Sequence, residues 1–329
     1  MRVLITGGAG MLGKKLARAL LERGYLTGSN GKSEITKIVV FDVAAPEPPL
    51  PDDPRLEVVT GDITRPGVVK SLVTPETEAV FHLAAVVSAG AEADFDLGMQ
   101  VNLLATQGLL MACRQLGNVP KLVFASSVAV FGGDMPEVIE DMTALTPQTS
   151  YGTQKAIGEM LINDYSRKGF IDGRALRLPT IVVRPGKPNK AASTFASSII
   201  REPLQGQPAV CPVSPESRMW ILSPRRAIEA FIHAAELPAE FWGFSRAVAL
   251  PGLSVSIQQM VEAMGDIAGQ NVVNRISWQP DSFIQKLVNG WPVDFAPKRA
   301  EAMGFQRDAS VHEIIQTFID DELAGKFVS

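Results

Sequence analysis

Tyr151 and Lys155 stand four residues apart in SYGTQKAIGE, Ser150 to Glu159, a stretch that reads as the first turns of a helix. On a helix, positions i and i+4 share a face, so a phenol and an ammonium group would project side by side. A fixed ammonium favours phenolate and would draw the tyrosine below its ordinary pKa of about 10, letting it take a proton near neutrality. A surface tyrosine lying along a lysine stem meets the same spacing. The rest of the chain has to decide.

A second constellation opens the chain. In ITGGAGMLG, Gly7, Gly10 and Gly13 fit G-x-x-G-x-x-G between an apolar run and a charged helical pattern, with Met11 and Leu12 inside the turn. Glycines there allow a tight turn, let a pyrophosphate approach the helix N-terminus and let helix and strand pack closely. The next apolar run, KIVVFD, ends in Asp42, 29 residues after Gly13. A carboxylate at that point accepts hydrogen bonds from the two adenosine ribose hydroxyls and repels a 2′-phosphate, favouring NAD over NADP; a solvated aspartate closing a strand is the plainer alternative. The separation exceeds the usual ~20 residues of this fingerprint. The polar insertion GYLTGSNGKSEITK, read as a surface loop, absorbs the excess.

The elements that must position these groups follow from hydrophobic patterning. RVLIT, KIVVFD, LEVVTGD, AVFHLAA and KLVFASS are short continuous apolar runs alternating with helical patterns, including one from Ala93 to Leu116. Such runs fit strands covered on both faces, and the alternation implies an α/β fold with a doubly wound parallel sheet of the Rossmann type. GRALRLPTIVVRPG reads as a further strand leading into an irregular segment, RMWIL with SPRRAIEAFIHAAEL as a strand and helix, and SRAVALPGLSVSIQQMVEAMGDIAG as a strand and helix with Ser256 and Gln259 at capping-box spacing. A last helix runs from about Val311 to Leu323. The expected organisation is a dinucleotide-binding domain over 1–182, to which 218–240 returns, and a smaller, mostly C-terminal substrate lobe over 183–217 and 241–329.

Composition excludes several classes. The chain has 329 residues, 46% hydrophobic and 20% charged, with a formal net charge of −4, ordinary values for a large globular protein. No long basic run suggests a nucleic-acid partner. Cys113 and Cys211 form no C-x-x-C, and His82, His233 and His312 lack ligand spacing, so no metal site is expected and the cysteines read as reduced. No apolar run approaches the roughly eighteen residues a membrane span needs. A cytoplasmic location is expected.

These residues together resemble the extended short-chain dehydrogenase/reductase family, from residue 1 to at least 186. Thr6 to Gly13 matches its T-G-x-x-G-x-x-G; Gly61, Asp62 and Ile63 match the GD(I/L) whose aspartate and following residue hold the adenine. HLAA, His82 to Ala85, matches the cofactor-lining segment containing Leu83, Ala84 and Ala85, with Asn102 on the following helix. ASSVAVFG resembles SSxxVYG and places the catalytic serine at Ser127, beside Ser126; YGTQK matches Y-x-x-x-K. The resemblance implies NAD as cofactor, Tyr151 as acid/base, Lys155 as holder of the nicotinamide ribose, Ser127 as orienter of the substrate oxygen, Pro179 and Ile181 beside the nicotinamide, and a homodimer through a helix bundle. Phe131 replaces the tyrosine of VYG. Val128 and Ala129 stand where dehydratases of the family carry an Asp-Glu pair, which weakens a dehydratase reading.

VVRPGKPNKAASTF, Val182 to Phe195, departs from the family's YGP continuation and brings Arg184, Lys187 and Lys190 close together, with Arg218, Arg225 and Arg226 farther on. Guanidinium groups bind carboxylates in bidentate fashion, so the expected substrate is a small sugar acid held first by Arg184 and Lys187. The same run resembles the branch of the family that oxidises the C2 hydroxyl of the four-carbon acid D-erythronate to its 2-oxo acid. A nucleotide-sugar 4-epimerase uses the same triad, and a non-catalytic NAD-sensing regulator would keep the fold without needing an acid/base.

Overall fold

In the computed structural model, which describes residues 1–28, 31–186 and 192–328, the chain forms two compact units. The first comprises Met1–Val130, Thr149–Arg177 and Ile228–Val248. Its apolar runs become strands β1 (Arg2–Thr6), β2 (Lys37–Asp42), β3 (Leu56–Thr60), β4 (Thr77–His82), β5 (Lys121–Ser127), β6 (Asp172–Leu178) and β7 (Ala247–Ala249). They form one seven-stranded sheet in the order β7-β6-β5-β4-β1-β2-β3. The β1–β2, β1–β4, β2–β3 and β4–β5 pairs are all parallel. Chain order reverses between β1 and β4, the switch point where the carboxyl ends of such a sheet open a ligand crevice.

Helix α1 (Met11–Arg23) follows β1 directly, α2 (Ala105–Leu116) precedes β5, and α3 (Ser150–Arg167) precedes β6. One face of the sheet packs Leu4, Val39, Phe41, Val80, Leu122 and Phe124 against Leu109, Leu110 and Ile162 of α2 and α3. These side chains alternate along the strands, and Ala105, Leu109, Ala112 and Cys113 of α2 recur at three- and four-residue spacing, as burial of one sheet face requires.

The expected helix over 93–116 is interrupted. Asp94 is extended and its side chain accepts from Leu97 N, starting a new turn, after which Met99–Leu104 is π-helical before α2 begins. The insertion read as a surface loop is a hairpin: Tyr25–Gly28 pairs antiparallel with Gly31–Glu34. It is anchored by Thr27 N donating to Glu236 and by Lys121 Nζ donating to the carbonyls of Thr27 and Ala235.

The second unit comprises Phe131–Gln148, Leu178–Ala227 and Ala249–Ser329. Arg218–Leu222, expected to return to the first domain, instead pairs with Thr180–Ile181 and Leu253–Ser256 in a three-stranded sheet. Pro179 separates Thr180–Ile181 from β6, so the chain changes sheets there. Only from Ile228 onward does the following helix belong to the first unit. Met219 and Ile221 pack with Ile199, Ile200, Met260, Met264 and Phe318 in the core of the second unit. The capping box of Ser256 and Gln259 is formed.

A buried histidine ties β1, β4 and the start of α2 together. Thr106 Oγ1 donates to the Asn102 carbonyl at 2.7 Å, so it accepts from His82 Nε2 at 2.8 Å. That leaves Nδ1 to accept from Thr6 Oγ1 at 2.6 Å, while the Thr6 oxygen accepts from Ala84 N. The chain of bonds selects the neutral Nε2-protonated tautomer. Burial, aided by the Lys155 charge, pushes the His82 pKa down to about 3. Unfolded chain takes up this proton at about 6.5 and folded protein refuses it until about 3, so stability is full above pH 6.5 and declines as pH falls through that window. His82 alone should cost the fold about 2 kcal/mol on going from pH 7 to pH 5. Urea denaturation at the two pH values should show this loss, and a smaller difference between them in His82→Gln.

Candidate active site

Thr149 caps α3, its Oγ1 accepting from Gly152 N at 3.1 Å, and so sets the rotation of the helix. Gly158 lies against Phe124, where a Cβ would meet the ring at 3.0 Å, so α3 rides close on β5. With rotation and distance set, the polar residues at positions i, i+4 and i+8 of α3 meet three successive residues at the carboxyl end of β5. Tyr151 is hydrogen-bonded to Ser127. Lys155 Nζ donates to Ala125 O at 2.8 Å. Glu159 Oε1 accepts from Ser126 Oγ at 2.5 Å.

The three sequence-derived residues Ser127, Tyr151 and Lys155 are thus together. Their electrostatics differ from expectation. Burial of its hydroxyl pushes the Tyr151 pKa up to about 12, opposed by the Ser127 hydrogen bond. Burial pulls Lys155 down to about 7, opposed by the Glu159 carboxylate. The lysine does not draw the phenol below 10 as its spacing suggested. Its ammonium points at Ala125 O and stands 5.6 Å from the Tyr151 ring centroid, and desolvation of a phenolate outweighs attraction at that range.

Two members of this site were not foreseen. Arg177 at the end of β6 holds Glu159 in a bidentate grip, Nε 3.1 Å from both carboxylate oxygens and an Nη 2.8 Å from Oε2. Glu159 was within reach of sequence reasoning, being one turn past Lys155 on the face already singled out. Arg177 carried no such signal.

At the switch point, Gly7 has φ +70°, and a Cβ on it would sit 2.6 Å from Ala84 N. A Cβ on Gly13 would sit 2.4 Å from Gly7 O, so the turn and the first turn of α1 can approach only as glycines. Asp42 Oδ2 accepts from Ala9 N at 2.9 Å, and Oδ1 from Val43 N at 2.7 Å, leaving lone pairs on both oxygens. The loop after β4 is held at Val86 by Asn102, which accepts from its N–H and donates to its carbonyl. Met11 and Leu12 begin α1; Leu83 N donates to Thr6 O beside Ala84 and Ala85. Asp62 accepts from the Thr64 amide and hydroxyl, which hold its pKa down, and Ile63 is buried beside it. An open anion-accepting turn, a carboxylate at the end of β2 and a lysine with two further protons fit a dinucleotide.

The remaining expected residues lie in the second unit. Pro179 precedes Thr180–Ile181, and Ile181 pairs with Leu222. Arg184 is half-buried, donating to Ser193 Oγ at 3.1 Å while its carbonyl accepts from Arg201 at 2.6 Å. Burial and Arg201 lower its pKa. Lys187 and Lys190 fall outside the described residues. Arg225 and Arg226 pair with Asp321 and Glu313, and Arg218 bonds Ser254. Among the described residues no cluster of His, Cys, Asp and Glu could hold a metal ion, and no helix is long and apolar enough to cross a membrane.

Comparison with known proteins bears on this arrangement. Residues 3–241 match the model of the NAD dependent epimerase/dehydratase family. The chain is 54% identical over 321 residues to the D-erythronate dehydrogenase of Cupriavidus necator, covering 98% of both chains. It is 45% identical over 323 residues to that of Haemophilus influenzae, covering 98% of this chain and 100% of the other. A crystal structure of the nucleoside-diphosphate-sugar epimerase from Agrobacterium tumefaciens, 44% identical, matches with a TM-score of 0.94 over 99% of this chain and 95% of that one.

The glycine turn can be tested by steric demand. Gly7→Ala meets backbone atoms that cannot give way and should destabilise by on the order of 3 kcal/mol. Gly67→Ala is the control: φ is +84°, but a Cβ there has nothing within 4 Å, so strain alone should cost about 1 kcal/mol. Thermal unfolding of the two variants should rank them in that order.

Proposed function

The chain belongs to the NAD dependent epimerase/dehydratase family and is an NAD-dependent oxidoreductase; from that premise we propose that it oxidises the C2 hydroxyl of D-erythronate to 2-oxo-D-erythronate, with Tyr151 as the base. The observation that carries the reading is the convergence of Tyr151, Lys155 and Ser127 at the carboxyl end of β5. The relatives of 54% and 45% identity, both D-erythronate dehydrogenases, support the substrate.

Bound NAD would supply the acceptor for the hydride leaving C2. The chain's own groups do the rest. Amides of the Gly7–Gly13 turn, with the N-terminus of α1 and its first residues Met11 and Leu12, hold the pyrophosphate. Asp42 holds the adenosine ribose, Asp62 and Ile63 the adenine. Leu83, Ala84, Ala85 and Asn102 line the cofactor along the loop after β4; Pro179 and Ile181 are assigned to the nicotinamide by family position. Lys155 binds the nicotinamide ribose with protons not used on Ala125 O. Ser127 donates to the substrate oxygen and orients it, and Tyr151 Oη removes the hydroxyl proton as charge develops on that oxygen. Lys155 must be charged for this, because phenolate in so dry a place needs a cation nearby. Arg184, with Lys187, takes the substrate carboxylate.

The 44% identical structure described as a nucleoside-diphosphate-sugar epimerase keeps a second reading open, in which the same triad returns hydride to the opposite face. A purely regulatory protein has no use for the assembled triad. The family resemblance also supports a homodimer: Leu104 and Met111, two turns apart, and Met160 on α3 are exposed apolar residues on the helices that would form the bundle. Two buried free cysteines are in keeping with a cytoplasmic location.

Mixing the protein with NAD and D-erythronate should raise absorbance at the wavelength of reduced nicotinamide, and Tyr151→Phe should lower kcat by at least ~10²-fold while binding NAD as before. Silence with erythronate combined with interconversion of UDP-sugars selects the epimerase. Asp42→Ala should reduce the preference for NAD over NADP by about tenfold or more, read as the ratio of kcat/KM values.

A further inference from the structure

We propose that Glu159 is a positioning residue for the reaction: clamped by Arg177, it fixes Ser126 beneath Ser127 and keeps the positive charge on Lys155. The inference rests on the reading of Tyr151 and Lys155 given above, and deepens it.

The geometry separates Glu159 from an ordinary buried ion pair. Glu159, Arg177 and Ser126 are 4%, 7% and 1% exposed. Both carboxylate oxygens are engaged, Oε1 by Ser126 and Arg177 and Oε2 by Arg177. Alternation along β5 sends Phe124 and Ser126 to the α3 face, so the Ser126 bond fixes the residue just before Ser127, the last of the strand ahead of the turn Val128–Val130. Ser127 leads into that turn, its Oγ accepting from Ala129 N. The aim of the Ser127 hydroxyl therefore depends on where Glu159 holds its neighbour.

The second half of the role is electrostatic. Lys155 is 1% exposed. The groups facing it are Tyr151 and Glu159 on α3, Phe124 and the Ala125 carbonyl on β5, and His82 on β4, with Arg177 on β6 behind Glu159. His82 is neutral at any working pH, Phe124 offers only its ring face, and Tyr151 is protonated at rest. Among these groups the one negative charge is Glu159. Arg177 cannot give up its proton, so loss of the carboxylate charge falls on the lysine, whose pKa already lies at about 7.

The two partners consequently have opposite expected effects, which a merely structural pair would not. Glu159→Gln removes the charge that retains the lysine proton. Arg177→Gln frees the Glu159 field from its guanidinium and directs it to the lysine. NMR titration of 13C-labelled lysine, with the Lys155 signal assigned by Lys155→Met, reads this without substrate. Relative to wild type, Lys155 should titrate about one pH unit lower in Glu159→Gln, about half a unit or more higher in Arg177→Gln, and close to wild type in Glu159→Asp. In the erythronate assay, kcat/KM of Glu159→Gln should fall about tenfold at pH 8.5 and about threefold at pH 6.5. An unchanged Lys155 titration, shifts of one sign in both variants, or an equal loss of kcat/KM at both pH values would overturn the proposal. If Glu159→Gln does not fold, Arg177→Gln decides alone, since only an upward shift agrees. Failure of the erythronate assay with the titration shifts intact would instead count against the assigned reaction.

Discussion

A lysine ammonium in a place with almost no water is the constraint around which this molecule is arranged. Its polar partners are few: one carbonyl of β5, one carboxylate one turn along its own helix, and the faces of Phe124 and Tyr151. An isolated ammonium would lose its proton in such surroundings. The Thr149 cap and the Gly158–Phe124 approach are what bring those partners within range, because a helix turned by one residue or held an ångström farther out would meet β5 with the wrong side chains. Local backbone chemistry and close packing therefore set the charge state of a group that neither touches directly.

The sheet contributes by keeping a second cation away. His82 stacks on Phe124 at 5.7 Å, and the Lys155 ammonium sits over the same ring. A protonated His82 would place like charge across one ring from the lysine. Thr6 and Thr106 prevent this by selecting a neutral tautomer, and burial keeps it neutral. The same hydrogen-bond chain holds the loop after β4: Ala84 bonds Thr6, and Val86 bonds the side chain of Asn102, whose carbonyl Thr106 caps. One row of bonds thus shapes the lip of the switch-point crevice and protects the charge balance behind it.

The alternation of continuous apolar runs with helical patterns made the sheet legible, since strands buried on both faces cannot disguise their composition. The glycine turn and the triad were legible because their chemistry demands particular residues at short spacing. What escaped depended on contacts distant in sequence. The hairpin at Tyr25–Glu34 has a polar sequence and is anchored from residues 121, 235 and 236. Arg218–Leu222 reads as a strand, but its assignment depended on partners at 180–181 and 253–256. Spacing alone places Tyr151 beside Lys155, yet the direction of their titrations is decided by burial, which spacing does not contain. Glu159 and Arg177 are 18 residues apart across a helix-to-strand connection, and a glutamate on a helix ordinarily reads as solvated.

The groups proposed to move the proton belong to the first unit and would respond only to a hydroxyl beside them, which an acid sugar and a nucleotide sugar both supply. On the proposed reading, discrimination would come from charge elsewhere. In the second unit burial lowers the pKa of Arg184, and the neighbouring Arg201 charge adds to the effect. Among the described residues the carboxylate bonded to this pair is Glu202, and it engages Arg201. Among those same residues the Arg184 guanidinium donates to the Ser193 hydroxyl, which carries no charge to offset that of a partly buried guanidinium. A carboxylate brought by a substrate offsets that charge and gains a bidentate partner. A neutral sugar hydroxyl offers neither, so the proposed assignment of Arg184 goes with an acid substrate.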